Sequence, residues 1–128
     1  MKILLVDDRD DVRTVCKIGF KAASRERGLK IEILEASTGT EAVELFKKHN
    51  PDFVIMDILL EEDMNGYEAL KLMKESKEDM KAVVVSAYCY KDEAVNSVEE
   101  NLAIEKFNKP IDYTNVLDFV CKNHDGSE

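Results

Sequence analysis

The sequence has no long apolar stretch. Its longest aliphatic runs cover residues 3–6, 53–56 and 82–85, far short of the roughly 20 apolar residues that a membrane-spanning helix needs. No apolar segment near Met1 has the pattern of a signal peptide. We therefore expect no contact with a membrane.

Basic residues are scarce relative to acidic ones. The chain has 18 Lys and Arg against 27 Asp and Glu, a formal net charge of −9. A nucleic-acid-binding module needs a basic surface that faces the phosphates. The charge balance therefore argues against nucleic acid as a partner.

Cysteine is also rare. Cys16, Cys89 and Cys121 are odd in number and have no metal-ligand spacing. Reduced thiols in a cytoplasmic protein are the expected state for such a set.

The 128 residues, 45% of them hydrophobic, are enough for one folded domain. Five short apolar runs alternate with segments of helical periodicity. The runs cover residues 3–6, 31–34, 53–56, 83–85 and 104–107, and the helical segments begin near Val12, Ala42, Gly66, Asp92 and Tyr113. This order predicts an α/β fold, a doubly wound, five-stranded parallel sheet of the (βα)5 type. We expect the domain to cover residues 1–123, with a short tail over 124–128. In the first helix the expected buried stripe includes Val12, Val15, Cys16, Gly19 and Ala23.

Polar residues follow four of the predicted strands. In a parallel sheet, ligands bind beyond the carboxyl ends of the strands. The residues at those ends are Asp7 and Asp8 after the first strand, Asp57 after the third, Ser86 after the fourth and Lys109 after the fifth. We expect these side chains to meet at one edge of the sheet.

Three adjacent carboxylates repel one another, by about 4 kcal/mol for each close pair at the effective dielectric of a protein surface. Cations must offset this repulsion. Lys109 supplies one positive charge, and an all-oxygen ligand set suits Mg²⁺. A carboxylate nucleophile with a metal, a lysine and a hydroxyl is a complete set for phosphoryl transfer.

These residues are also part of sequence motifs that resemble those of a known family. The chain resembles the CheY-like receiver domain of two-component response regulators over essentially its full length. The matching motifs are Leu5-Val6-Asp7-Asp8, Pro51-Asp52-Phe53-Val54-Ile55-Met56-Asp57, Asn65-Gly66, Ser86-Ala87-Tyr88 and Asn108-Lys109-Pro110. It is similar to the stand-alone, single-domain receivers of chemotaxis and sporulation phosphorelays, and the resemblance implies a flavodoxin-like fold.

The resemblance implies a phosphoacceptor regulator of signal transduction. Asp57 would accept a phosphoryl group from a sensor histidine kinase or a histidine phosphotransfer protein. Asp8 and Asp57 would bind Mg²⁺ directly, Asp7 would bind it through water, and the main-chain carbonyl of Leu59 would complete the protein ligands.

The remaining implied roles concern Lys109 and Ser86. Lys109 would pair with the acceptor carboxylate and then with the phosphoryl group, and Ser86 would hydrogen-bond that group. The Lys109–Pro110 bond would be cis. The phosphorylated protein would change conformation and signal to a downstream protein as a monomer in the cytoplasm, and would catalyse only its own phosphorylation and slow dephosphorylation.

The sequence departs from the family pattern in two places, one residue and one loop. Lys106 stands where the family usually has an aromatic residue, and Phe107 next to it should point to the opposite face of its strand. The loop after Asp57 lacks the usual proline and carries Glu61, Glu62 and Asp63 instead.

Other functions remain open. Asp8 and Asp10 also fit the DxDx[TV] pattern of haloacid-dehalogenase-like phosphatases, with Asp8 as nucleophile, although the chain is short for such an enzyme and Asp57 would have no role. A receiver-like interaction module that works without phosphorylation is a second alternative. A nucleotide-binding protein is disfavoured because the five glycines form no phosphate-binding loop.

Overall fold

The computed structural model describes residues 1–58, 60, 64–86, 96, 98 and 100–123. The strands are β1 Lys2–Val6, β2 Glu32–Ala36, β3 Phe53–Asp57, β4 Ala82–Ser86 and β5 Glu105–Asn108. The helices within these residues are α1 Asp10–Glu26, α2 Gly39–His49, α3 Gly66–Ser76 and α4 Tyr113–Asn123. Each strand lies within two residues of its predicted position. The helix predicted over residues 92–102 and the tail over 124–128 fall mostly or wholly outside the described residues.

The five strands form one parallel sheet in the order β2-β1-β3-β4-β5. The chain moves from β1 to β2 on one side and then returns to β3 on the other side of β1. The strand order therefore reverses between β1 and β3. This reversal opens a crevice beyond their carboxyl ends, which is where α/β proteins bind ligands.

Helices cover both faces of the sheet. Leu4, Val54 and Val84 point to the side of α2 and α3, while Leu5 and Ile55, one residue further along β1 and β3, point to the side of α1 and α4. The central strands are apolar on both faces because both faces are buried. The doubly wound prediction is confirmed.

Helix α1 packs the predicted residues Val12, Cys16 and Ala23 against the core, but the prediction for Val15 is wrong. Cys16, Phe20 and Ala23 are buried, whereas Val15 is 56% exposed. The ring of Phe20 packs edge-on against Tyr113 of α4, with centroids 5.2 Å apart. The buried ring of Phe20 therefore contributes to the contact between α1 and α4. In the described part of the chain, no helix combines the length and apolarity needed to cross a membrane.

Candidate functional site

Three carboxylates meet at the crevice between β1 and β3. Asp7 and Asp8 follow β1, and Asp57 is the last residue of β3. One carboxylate oxygen from each lies within 4.8 Å of those of the other two. Asp7 and Asp57 are buried, and Asp8 is half-buried. These oxygens are close enough to share a single cation.

Lys109 reaches this cluster from the end of β5. Its Nζ lies 3.0 Å from Oδ2 of Asp57 and 3.3 Å from Oδ2 of Asp7. Its main-chain N–H donates to the carbonyl of Ser86 at 2.9 Å, which holds the β5 end against β4. Burial lowers the pKa of Lys109, but the hydrogen bond and charge of Asp57, together with Asp7, outweigh burial and raise that pKa overall. The side chain of Lys109 is therefore a charged ammonium at neutral pH. The Lys109–Pro110 peptide bond is cis, as predicted.

Ser86 is the last residue of β4 and is fully buried. Its Oγ has no hydrogen-bond partner among the described residues. The register between β3 and β4 pairs Asp57 with Val85, so Ser86 lies one residue further toward the ligand-binding edge. A buried hydroxyl without a partner costs about 1–3 kcal/mol, which favours a role in binding a ligand at this edge.

Gly66 allows α3 to begin against the end of β3. Its N–H donates to the carbonyl of Ile58 at 3.1 Å. A Cβ at this position would lie 2.4 Å from the carbonyl oxygen of Asp57 and 2.9 Å from Cα of Ile58. The neighbouring Asn65 caps α3 with a complete capping box to Glu68. The Asn-Gly motif therefore has a local physical cause.

Sequence reasoning missed one residue of the site. Arg13 of α1 donates from Nη1 to the main-chain carbonyl of Asp7 at 2.6 Å. The signal that could have identified it is an arginine near the start of a helix, where the helix dipole disfavours positive charge.

An open, largely apolar groove of about 530 Å³ adjoins Lys109. Among the residues that line it are Arg9, Val12, Val15, Cys16, Pro110 and Tyr113. Burial raises the pKa of the Cys16 thiol, so this cysteine is a poor nucleophile. Val15 at the groove and Ile18 one turn further along α1 are 56% and 66% exposed.

Strand β5 contains Lys106, which stands at the family's usual aromatic position, and its neighbour Phe107. Lys106 pairs with Val84 and Phe107 with Val85, so the two side chains take opposite faces. Phe107 is half-buried on the α1 and α4 side, in an edge-on contact with Phe119 at 5.8 Å. This confirms the predicted orientation of Phe107. Outside the described residues lie Leu59, Glu61, Glu62 and Asp63.

Comparison with known proteins identifies the family. The profile of the response regulator receiver domain matches residues 3–120. The chain belongs to this family. Receiver domains act in two-component signal transduction, and that is the function of this chain. The family assignment favours a phosphoacceptor regulator over the phosphatase alternative.

Relatives and solved structures agree with this assignment. Sporulation initiation phosphotransferase F of Bacillus subtilis is 31% identical over 121 residues, covering 94% of this chain and 91% of the relative. Chemotaxis protein CheY of the same organism is also 31% identical over 121 residues, covering 94% and 95%. A receiver domain protein from Clostridium thermocellum has the same fold, with a TM-score of 0.86 at 22% identity over 98% of this chain and 94% of that one. Receiver domains typically bind Mg²⁺ through acidic residues, and this receiver has such a cluster at Asp7, Asp8 and Asp57.

Proposed function

We propose that this receiver accepts a phosphoryl group on Asp57 from a phosphohistidine donor in a Mg²⁺-dependent reaction. One structural observation gives this proposal its main support. The ammonium of Lys109 contacts Asp57 and Asp7 in the same crevice where the carboxylate oxygens of Asp7, Asp8 and Asp57 converge. This arrangement supports the acceptor role of Asp57 over that of Asp8, the nucleophile of the phosphatase alternative.

The donor set fits magnesium. Its described members are carboxylate oxygens within 4.8 Å of one another, and hard oxygen ligands are those that Mg²⁺ prefers. Asp8 and Asp57 would bind it directly, Asp7 through water, and the Leu59 carbonyl would be the remaining protein ligand. When bound, Mg²⁺ would neutralise charge on the acceptor and on the incoming phosphoryl oxygens.

Side chains of this protein perform the phosphoryl transfer. A carboxylate oxygen of Asp57 attacks phosphorus, the O–P bond forms, and the N–P bond of the donor breaks so that its imidazole leaves. Lys109 exchanges its contact with the carboxylate for one with a phosphoryl oxygen. The buried hydroxyl of Ser86, which has no partner among the described residues, donates a hydrogen bond to another phosphoryl oxygen.

The phosphoryl group would then bias a conformational equilibrium that a downstream protein reads. Moving a two-state equilibrium from 1:99 to 99:1 takes about 5.5 kcal/mol of differential binding. Charge-assisted hydrogen bonds contribute about 1.5–3 kcal/mol each, so contacts from Lys109 and Ser86 are of the required size. Lys106 of the edge strand β5 replaces the aromatic residue of the family pattern, so the switch here would work without that ring.

The donor protein would dock beside the crevice on α1. Val15 and Ile18 form an exposed apolar strip on this helix, and the groove next to Lys109 continues from it. A phosphohistidine held over Asp57 would bring the surrounding donor surface against this strip. A sensor histidine kinase or histidine phosphotransfer protein in the cytoplasm is the proposed donor.

Acetyl phosphate tests the acceptor. The protein is incubated with acetyl phosphate and Mg²⁺, and the adduct is mapped by mass spectrometry, with Asp57→Ala as the control. We expect one phosphoryl group on Asp57, none without Mg²⁺, and none on the variant. Phosphate on Asp8 with multiple turnover would instead support the phosphatase, and absence of any adduct would support the interaction module.

A further inference from the structure

The guanidinium group of Arg13 in α1 contacts three residues. Nη1 donates to the main-chain carbonyl of Asp7 at 2.6 Å, and Nε donates to Oε1 of Glu35 at 3.1 Å. Nη2 pairs with Asp10. The Arg13 side chain is only 11% exposed. It therefore connects α1, β2 and the residue that follows β1.

The backbone at Asp7 is held from two directions. Its N–H donates to the carbonyl of Ala36 at the end of β2, at 3.2 Å, and its carbonyl accepts from Arg13. The carbonyl of Asp7 and the nitrogen of Asp8 belong to one rigid, planar peptide group. Fixing that carbonyl consequently restricts the orientation of the plane and the position of Cα of Asp8, from which the Asp8 carboxylate extends.

The charge of Arg13 is matched by residues outside the carboxylate cluster. Glu35 and Asp10 both pair with it, and Lys17 holds the other carboxylate oxygen of Glu35 at 2.7 Å. On the side that faces the crevice, Arg13 donates its hydrogen bond to an uncharged group, the main-chain carbonyl of Asp7. Its effect on the crevice is therefore one of geometry more than of charge.

We infer that Arg13 is a positioning residue for the magnesium site, which it orders through the Asp7–Asp8 peptide group, and that Glu35 holds Arg13 in place. This inference rests on the proposed function, since it concerns the metal that Asp7, Asp8 and Asp57 would bind. A lysine could keep the charge at position 13 but could not supply the planar fork that reaches the carbonyl and Glu35 together.

The test compares Arg13→Gln and Arg13→Lys with Arg27→Gln. Arg27 at the end of α1 is the control, because its guanidinium, like that of Arg13, joins a carboxylate, here Asp118, to a main-chain carbonyl, here that of Ala23. Mg²⁺ affinity is measured by calorimetry, and the free energy of unfolding by urea titration without Mg²⁺. We expect both Arg13 variants to bind Mg²⁺ about tenfold more weakly, the lower range for loss of a group that orients metal ligands. Arg27→Gln should change the affinity less than about twofold, even where it lowers stability.

The outcomes separate the two proposals. Wild-type affinity in Arg13→Gln, or an equal loss in Arg27→Gln, would overturn the role of Arg13 while leaving the metal site intact. A wild-type protein that binds no Mg²⁺ would overturn the metal site itself. If Arg13→Gln does not fold, Glu35→Gln serves instead, and a weaker affinity in that variant supports the inference while an unchanged one refutes it.

Discussion

The ammonium of Lys109 lies 3.0 Å from a carboxylate oxygen of Asp57. Asp57 is the last residue of β3 and Lys109 directly follows β5, and β4 separates these two strands in the sheet. This contact therefore ties the end of β5 to the end of β3. It also offsets part of the repulsion among the three carboxylates. The same contact should therefore stabilise the metal-free protein and prepare the acceptor for reaction.

Replacing Lys109 with Met should destabilise the Mg²⁺-free protein by about 1–3 kcal/mol. This is less than the roughly 3–5 kcal/mol for breaking a fully buried pair, because Lys109 is partly exposed. Saturating Mg²⁺ should restore more stability to the variant than to the wild type, since the metal replaces the missing positive charge. Urea unfolding with and without Mg²⁺ measures both effects. Lys77→Met, which loses an exposed contact to Asn50, is the control, and equal responses of the two variants would contradict this account.

The contribution of Lys109 to stability should persist through neutral and mildly alkaline pH. The pKa of this lysine is raised above its ordinary value of 10.5 in the folded protein. A raised pKa means that the folded protein holds the proton more tightly than the unfolded chain, so the stabilisation is complete below the unfolded pKa and is lost as pH rises through the folded one. The stability difference between wild type and Lys109→Met should stay constant from about pH 7 to 9 and shrink only above about 10.5. A difference that falls between pH 7 and 9 would show that the ammonium is not the stabilising group.

Ser86→Ala should separate stability from signalling. The hydroxyl is buried without a partner among the described residues, so its removal should leave the unphosphorylated protein equally stable or more stable, by up to about 1 kcal/mol. After reaction with acetyl phosphate, however, the variant should show smaller phosphorylation-dependent changes in its amide NMR spectrum. Loss of stability by more than about 1 kcal/mol would mean that the hydroxyl already has a partner in the unphosphorylated protein.

Sequence alone predicts most of the fold and of the carboxylate cluster, for a physical reason. Parallel strands that are buried on both faces are apolar throughout, which makes them recognisable in the sequence. Their carboxyl ends meet at one edge of the sheet, so the sequence alone predicts that Asp7, Asp57 and Lys109 lie together. Arg13 could not be identified in this way, because its partner is a main-chain carbonyl that no residue type encodes. The prediction for Val15 is wrong because helical periodicity alone does not determine where the buried stripe of a helix ends. Phe20, which lies outside the predicted stripe, is buried against Tyr113, whereas Val15 is exposed.

Gly66→Ala should be strongly unfavourable despite the higher helix propensity of alanine. The new Cβ would lie 2.4 Å from the carbonyl oxygen of Asp57, and relief of this clash requires α3 to move away from β3. We expect a loss of about 1–3 kcal/mol in stability and slower phosphorylation by acetyl phosphate. Gly28→Ala is a useful comparison, because a Cβ there meets nothing within 4 Å and only the positive φ of 65° opposes it. If both variants lose stability but only Gly66→Ala is slow in phosphorylation, the close approach at Asp57 is the cause.

The apolar strip on α1 should affect transfer from a protein donor but not from a small molecule. Val15→Ser and Ile18→Ser replace side chains that are more than half exposed, so stability should change by less than about 0.5 kcal/mol. With acetyl phosphate, both variants should react at the wild-type rate, because Asp57 and Lys109 are untouched. With a phosphohistidine protein that phosphorylates the wild type, kcat/KM should fall about tenfold for each, the effect of losing roughly 1.4 kcal/mol at an interface. Leu72→Ser on α3, also an exposed apolar position, is the matched control: an equal loss there would indicate a general effect of surface polarity, and no loss in the α1 variants would exclude this strip as the docking face.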